Sequence, residues 1–141
     1  SEANPAVNYG TLPDLRLRTS TGGSWRSFLR FDVAGLSKPV VKATLRLHVD
    51  DGSADGGALH GVPTSWTETG ITWTTAPALD PPAIASLGSV ATNAWVEVDV
   101  TATVVGNGSY AFGLANASSD SAYYGSRESA NPPQLVIELA P

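Results

Sequence analysis

In the stretch Lys42-Ala43-Thr44-Leu45-Arg46-Leu47-His48-Val49, polar and apolar side chains alternate at every position. Successive side chains of a β-strand point to opposite faces, so the alternation predicts a strand with one buried and one exposed face. The same pattern occurs earlier, in Leu15-Arg16-Leu17-Arg18 and in Arg26-Ser27-Phe28-Leu29-Arg30-Phe31. If the three strands share a sheet, that sheet has an apolar inner face and a cationic outer face.

This cationic face is the best indication of what the protein binds. A guanidinium offers a carboxylate two parallel N–H donors, so several of them on a rigid sheet suit a polyanion. The alternative is a solvated face with internal ion pairs, and Arg30 fits that role best because Asp32 follows on the same face. The candidate ligand-binding residues of the face are Arg16, Arg18, Arg26, Phe28, Arg30, Lys42, Arg46 and His48.

Length and composition indicate an all-β protein with one domain. The chain has 141 residues with 14 Gly and 10 Pro, and its short alternating runs are separated by Gly, Pro, Asn and Asp. This organisation is typical of a single-domain antiparallel β-sandwich, here spanning residues 1–141. Strands are predicted near residues 14–19, 25–33, 40–50, 57–62, 84–90, 94–100, 109–115, 121–127 and 134–139.

Charge is distributed unevenly along the chain. Residues 1–48 carry seven basic and three acidic side chains, whereas residues 49–141 carry one basic and ten acidic side chains. The formal net charge of −5 argues against a nucleic-acid-binding protein, which would be basic overall. The chain has no Cys, which excludes disulfides, and no apolar run of the roughly 18 residues that a membrane span needs. We therefore expect neither nucleic acid nor a membrane among its partners.

The last basic residue lies in the segment Tyr123-Tyr124-Gly125-Ser126-Arg127-Glu128. By alternation Tyr123 and Arg127 share a face, so both are further candidate ligand contacts. An isolated arginine in an acidic region also suits a structural ion pair, here with Glu128 or Glu138. The sequence is compatible with both roles of Arg127, ligand contact and structural ion pair.

Three tryptophans could serve either the packing of the fold or contact with a sugar. Trp66 and Trp73 lie in a long irregular connection, residues 63–83, where they either stack on sugars or anchor the connection to the core. Anchoring is the favoured interpretation. Trp95 begins a strand on its polar side and serves either edge packing or sugar contact.

The sequence offers one candidate metal site and one candidate active site. Asp50, Asp51 and Asp55 lie in one Gly-rich turn, where they either bind a structural calcium ion or cap the turn. No cofactor is required. Eliminative cleavage of a uronate polymer needs a base and a cation, and His48 with Tyr123 is the only suitable set, so we predict that the protein is not an enzyme.

Several motifs resemble those of DNRLRE-type carbohydrate-binding modules, in the family's order over nearly the whole chain. They are Asn8-Tyr9-Gly10, Ser27-Phe28-Leu29-Arg30-Phe31-Asp32-Val33-Ala34-Gly35-Leu36, Ala43-Thr44-Leu45-Arg46-Leu47, Trp66-Thr67-Glu68 with Ile71-Thr72-Trp73, Trp95-Val96-Glu97-Val98-Asp99-Val100, and Ser126-Arg127-Glu128 with Asn131-Pro132-Pro133-Gln134-Leu135.

The resemblance implies a jelly-roll-like β-sandwich appended to a secreted bacterial enzyme that degrades polysaccharides, and some related modules are associated with alginate. It also implies that the family's recurrent residues determine the fold rather than contact a ligand. Those residues are Arg30, Asp32, Trp66, Trp73, Arg127 and Glu128. Recognition then falls to the variable basic positions, which are Arg16, Arg18, Arg26, Lys42 and His48.

Residues and resemblance together predict an extracellular, non-catalytic carbohydrate-binding module, excised from a larger secreted enzyme. It would hold an acidic polysaccharide, alginate first, on a cationic sheet face and target a covalently linked catalytic domain. The alternatives are a structural or adhesion sandwich with no sugar site, a module for a neutral polysaccharide such as a β-glucan, and a small polysaccharide lyase.

Overall fold

The computed structural model describes residues 1–141 and contains nine β-strands and no helix. The strands are β1 (Asp14–Leu17), β2 (Ser27–Val33), β3 (Val40–Asp51), β4 (Ala58–Gly61), β5 (Asp80–Ser86), β6 (Trp95–Asp99), β7 (Gly108–Ala115), β8 (Ala122–Gly125) and β9 (Gln134–Leu139). They pair antiparallel in two packed sheets, which confirms the predicted all-β sandwich. None of its segments is a helix long and apolar enough to cross a membrane.

The two sheets differ in size. The five-stranded sheet has the order β1-β8-β3-β6, with β9 also paired to β3, and the four-stranded sheet has the order β2-β7-β4-β5. At 12 residues, β3 is long enough to pair with β9 through Val40–Arg46 and with β8 beyond it, at Val49 and Asp51. β1 and β2 each end their sheet, so each keeps one free edge.

The core lies between the sheets and follows the alternation of the sequence. Leu45, Leu47 and Val49 of β3 are fully buried, as are Phe112 and Leu114 of β7 on the opposite sheet. The intervening residues of β3 are half-buried on the outer face. The central stretch of sequence therefore forms the half-buried strand that its pattern predicts.

The prediction of one shared cationic face is wrong. β2 belongs to the four-stranded sheet, whereas β1 and β3 belong to the five-stranded sheet and are separated there by β8. Alternation specifies which side chains of a strand point outward, but it carries no information about the sheet that the strand joins. The basic residues are consequently divided between different surfaces.

One strand lies away from its predicted position. The sequence pattern predicts a strand near residues 84–90, whereas β5 spans Asp80–Ser86, which includes Pro81 and Pro82. Proline cannot donate to a strand ladder, so prolines argue for a loop, but they are tolerated on an edge strand. β5 is such a strand, because it pairs only with β4.

Candidate functional site

A groove opens at the side of the sandwich where β1 and β2 end the two sheets. Its volume is about 770 Å³, within the range of about 300–1,000 Å³ typical of small-ligand sites. The hydroxyl of Ser27 donates to the backbone oxygen of Arg16 at 2.9 Å, and Arg18 pairs with Trp25 as an isolated bridge. These contacts hold the two edge strands side by side and fix the base of the groove.

Three segments outside the strands complete the groove, namely residues 1–13, 63–79 and 126–133. The side-chain nitrogen of Asn8 donates to the backbone oxygens of Glu68 at 2.8 Å and Ile71 at 2.6 Å, which ties the first segment to the second. The hydroxyl of Ser126 donates to the backbone oxygen of Leu12 at 2.5 Å and ties the first to the third. The loops therefore support one another as well as the sheet edges.

Aromatic rings line much of the groove. The Tyr9 and Trp25 centroids are 4.7 Å apart, and those of Phe28 and Trp66 are 6.0 Å apart. The packing of Trp66 on Phe28 is what the anchoring interpretation expects. The Trp66 Nε1 is nevertheless buried with no hydrogen-bond partner, and such a donor needs an explanation because it costs free energy.

Arg16 is fixed by its neighbours. Its Nε lies 2.6 Å from Oδ1 of Asp14, and its Cζ lies 5.1 Å from the Trp25 centroid and 5.3 Å from that of Tyr123. The hydrogen bond to Asp14 raises the pKa of Arg16 above its ordinary value. This guanidinium is therefore already paired with a carboxylate and packed between two rings.

Arg30 fastens the connection of residues 63–79 to the outer face of the four-stranded sheet. Its Nη1 donates to the backbone oxygens of Thr64 at 3.1 Å and Trp66 at 3.3 Å, and its Nε lies 3.5 Å from Oδ1 of Asp32. The hydroxyl of Ser109, with a smaller contribution from Arg30, lowers the pKa of Asp32. These contacts are those of a residue that serves the fold.

Arg127 lies between two carboxylates. Its Nη2 is 2.6 Å from Oε2 of Glu68, and its Nε is 3.5 Å from Oε1 of Glu128. Burial, followed by the negative charge of Glu128, raises the pKa of Glu68. Arg127 is 76% exposed but already satisfies two acids, so a ligand carboxylate would have to displace one of them.

Arg26 differs from the other three groove arginines. Its side chain forms no ion pair, and its Cζ lies 5.0 Å from the centroid of Trp73. Arg26 is exposed immediately before β2, and both Arg26 and Trp73 line the groove. Arg26 is thus a free cation beside an aromatic ring.

Arg46 lies away from the groove, on the outer face of the five-stranded sheet. Its Nε is 2.9 Å from Oε1 of Glu97, its Nη1 is 2.6 Å from Oε1 of Gln134, and its Cζ is 4.7 Å from the Trp95 centroid. The guanidinium is therefore engaged by side chains of the neighbouring strands β6 and β9.

Two further candidates share that face with Arg46. The Nδ1 of His48 lies 2.7 Å from Oδ1 of Asp50, and its ring centroid is 5.2 Å from that of Trp95. Lys42 is exposed and forms no ion pair. The packing of Trp95 against Arg46 and His48 supports the edge-packing interpretation of this tryptophan.

The candidates from sequence thus divide into two sets. Those that line the groove are Arg16, Arg26, Phe28, Arg30 and Arg127. Those that do not are Arg18, Lys42, Arg46, His48 and Tyr123. Sequence reasoning did not single out Tyr9 and Trp25 as ring contacts, since neither lies in an alternating run, and their adjacency arises only from the fold.

The three aspartates of the Gly-rich turn do not gather into a metal site. The structure contains no group of three or more His, Asp or Glu side chains that could hold a metal ion. Asp55 instead accepts hydrogen bonds from the backbone nitrogens of Gly57 at 3.0 Å and Ala117 at 2.8 Å, as turn capping requires. Calcium at Asp50, Asp51 and Asp55 stays a prediction from sequence.

A groove of rings and arginines on a β-sandwich is suited to sugars, because rings pack on apolar sugar faces while polar groups bind hydroxyls and carboxylates. Comparison with known families agrees with this class of protein. The chain belongs to carbohydrate-binding module family 96, whose family model matches residues 1–139. A search of curated proteins finds no match. The protein is therefore a non-catalytic carbohydrate-binding module whose partner is a polysaccharide.

Proposed function

We propose that this module holds an acidic polysaccharide, alginate first, in the groove beside β1 and β2. The observation that carries the proposal is the free guanidinium of Arg26 beside the ring of Trp73, in a groove of about 770 Å³. A uronate presents both a carboxylate and an apolar ring face, and this pair of side chains offers a partner to each.

Binding would combine two kinds of contact. The guanidinium donates parallel hydrogen bonds to the uronate carboxylate, while the apolar face of the sugar packs on an aromatic side chain. Because the loops are cross-tied by Asn8 and Ser126, little of the binding free energy is needed to order the site.

The biological role that we propose is targeting. A non-catalytic module raises the local concentration of a linked enzyme at its polymer, since the second contact becomes intramolecular. The resemblance to modules of secreted bacterial enzymes supports an extracellular location and a covalently attached catalytic domain that degrades the polysaccharide.

Affinity-gel electrophoresis tests the ligand class. The native module is run through gels containing alginate, a neutral β-glucan or no polysaccharide, and we expect retardation by alginate. Equal retardation by the β-glucan with none by alginate would refute the charge-based mechanism. No retardation by any of a panel of acidic and neutral polysaccharides would favour a structural or adhesion domain.

A neutral polysaccharide is the second candidate ligand, and one observation favours it. The four arginines of the groove are accompanied by four carboxylates in its lining, those of Asp14, Asp32, Glu68 and Glu128. The groove as a whole is therefore close to electrically neutral. A preference for an acidic ligand therefore depends on the unpaired Arg26 and not on a strongly positive surface.

A further inference from the structure

We propose that Arg26 alone decides the preference of the groove for acidic over neutral sugars, by binding one uronate carboxylate per module. This rests on the proposed function, in which a polysaccharide occupies the groove. It adds the residue that determines specificity and the number of ligand charges that are recognised.

Three of the four arginines in the groove are already paired with carboxylates of the protein. Arg16 pairs with Asp14 at 2.6 Å, Arg127 with Glu68 at 2.6 Å, and Arg30 with Asp32 at 3.5 Å. A uronate that approached one of these arginines would meet the resident carboxylate as a like charge, and displacing it would leave that acid without a partner. These three positions therefore add little discrimination between acidic and neutral sugars.

Glu2 is the acid whose pKa the charge of Arg26 affects. The carboxylate of Glu2 accepts a hydrogen bond from the backbone nitrogen of Ser24 at 3.0 Å and forms no ion pair with Arg26. Hydrogen bonds from Ser24 lower the pKa of Glu2 first, and the positive charge of Arg26 contributes less. Glu2 is committed to the backbone, so the donors of Arg26 are not taken by it.

The site around Arg26 is pre-organised by hydrogen bonds within the turn that carries Trp73. The turn that carries Trp73 is closed by reciprocal hydrogen bonds between Thr72 and Thr75, at 3.0 and 3.2 Å, and by the bond from the Thr74 nitrogen to the Pro5 oxygen at 3.1 Å. A guanidinium packed over a ring keeps N–H donors at its rim for a planar carboxylate. Trp73 thus limits the freedom of Arg26 without occupying its hydrogen-bonding groups.

The experiment compares native alginate with alginate whose carboxyl groups are esterified, which removes the charge but keeps the polymer. Affinities are measured by isothermal titration calorimetry for the native module and for Arg26→Ala, Arg26→Lys and Arg18→Ala. Arg18 is the matched control, because it is also exposed and free of ion pairs but does not line the groove. Thermal melting confirms that each variant is folded.

We expect the native module to prefer native over esterified alginate roughly tenfold, the ratio expected for one hydrogen-bonded charge pair. Arg26→Ala should bind both polymers alike, Arg26→Lys should keep part of the preference, and Arg18→Ala should keep all of it. If Arg18→Ala and Arg26→Ala lost the preference equally, the inference would be overturned, because several basic residues would then contribute to the preference for the charged polymer. The proposed function would still hold in that case. Failure of the native module to bind either polymer would overturn both.

Discussion

The hydroxyl of Tyr124 shows how a single polar atom is accommodated in the core of this sandwich. Tyr124 is fully buried, and its hydroxyl donates to the backbone oxygen of Gly56 at 2.6 Å. A Cβ at Gly56 would lie 2.8 Å from that hydroxyl, so the close approach requires glycine. Burial, and to a smaller extent the charge of Asp55, raises the pKa of Tyr124 above its ordinary value of 10.0.

Replacing Tyr124 by Phe removes this hydrogen bond and leaves the Gly56 oxygen unpaired in the core. We expect the free energy of unfolding at neutral pH to fall by about 1–3 kcal/mol. Urea denaturation followed by tryptophan fluorescence measures the change. An unaltered denaturation midpoint would contradict the role of the bond.

The difference in the free energy of unfolding between the native protein and Tyr124→Phe should depend on pH. Because the pKa of Tyr124 is higher in the folded state, its stabilising contribution is fully present below pH 10.0 and declines as the pH rises above that value. The stability difference between the native protein and Tyr124→Phe should therefore narrow above pH 10.0. A difference that stayed constant would show that the phenol ionises as readily in the folded state as in the unfolded chain, and one that widened would show that it ionises more readily in the folded state.

Among the elements, β3 does most to organise the fold. It pairs with β6, β8 and β9, and four of its alternating apolar side chains, those of Ala43, Leu45, Leu47 and Val49, are fully buried. Its length of 12 residues allows it to pair with all three of these strands, so damage to β3 should affect the entire five-stranded sheet.

Replacing Leu47 of β3 by Ala should lower the free energy of unfolding by about 2–5 kcal/mol, because it opens a cavity at a fully buried position. Thr44→Ala is the matched control, since Thr44 lies on the same strand but on the outer face. The control should change stability by no more than about 0.5 kcal/mol. Similar effects of both substitutions in urea denaturation would contradict the assignment of the two faces.

Much of this element structure was predictable from the sequence. The alternation from Lys42 to Val49 correctly predicts the position and the buried face of β3. All other strands except β5 lie within a few residues of their predicted positions. The prolines at the start of β5 obscured that strand, because whether an edge position tolerates them depends on pairing partners.

The candidate site was less predictable, for a physical reason. Strand alternation predicts that Arg16 and Arg26 both point outward, but whether each has a carboxylate partner depends on side chains that the fold brings together. Asp14 lies two residues from Arg16 and pairs with it, whereas Trp73 reaches Arg26 from a distant loop. Strand alternation cannot report contacts of this second kind, nor the division of the strands between two sheets.

At the scale of the whole molecule, electrostatics act in two opposing ways. The net charge of −5 repels an acidic polymer at long range, while the unpaired Arg26 attracts one carboxylate at short range. Above about 0.1 M salt the Debye length is about 10 Å or less, so the distant acids are largely screened and the local contact dominates.

Binding of alginate should accordingly weaken as sodium chloride rises from about 0.1 to about 1 M, over which the Debye length falls from about 10 to about 3 Å. Calorimetric titration at several salt concentrations measures this dependence, with esterified alginate as the control that should respond much less. Alginate binding that strengthened throughout this range would indicate that the net charge, and not a local ion pair, governs the interaction.

The most direct test of the account uses the four tryptophans of the chain, three of which line the groove. The indole N–H signals of Trp25, Trp66 and Trp73 are followed by two-dimensional ¹H–¹⁵N NMR during titration with an alginate oligosaccharide, and Trp95→Phe assigns the fourth signal. We expect the signals of Trp66 and Trp73 to shift on binding while that of Trp95, on the outer face of the other sheet, stays in place. A titration that moved the Trp95 signal and left the three groove signals unchanged would contradict the central claim that the polysaccharide binds beside β1 and β2.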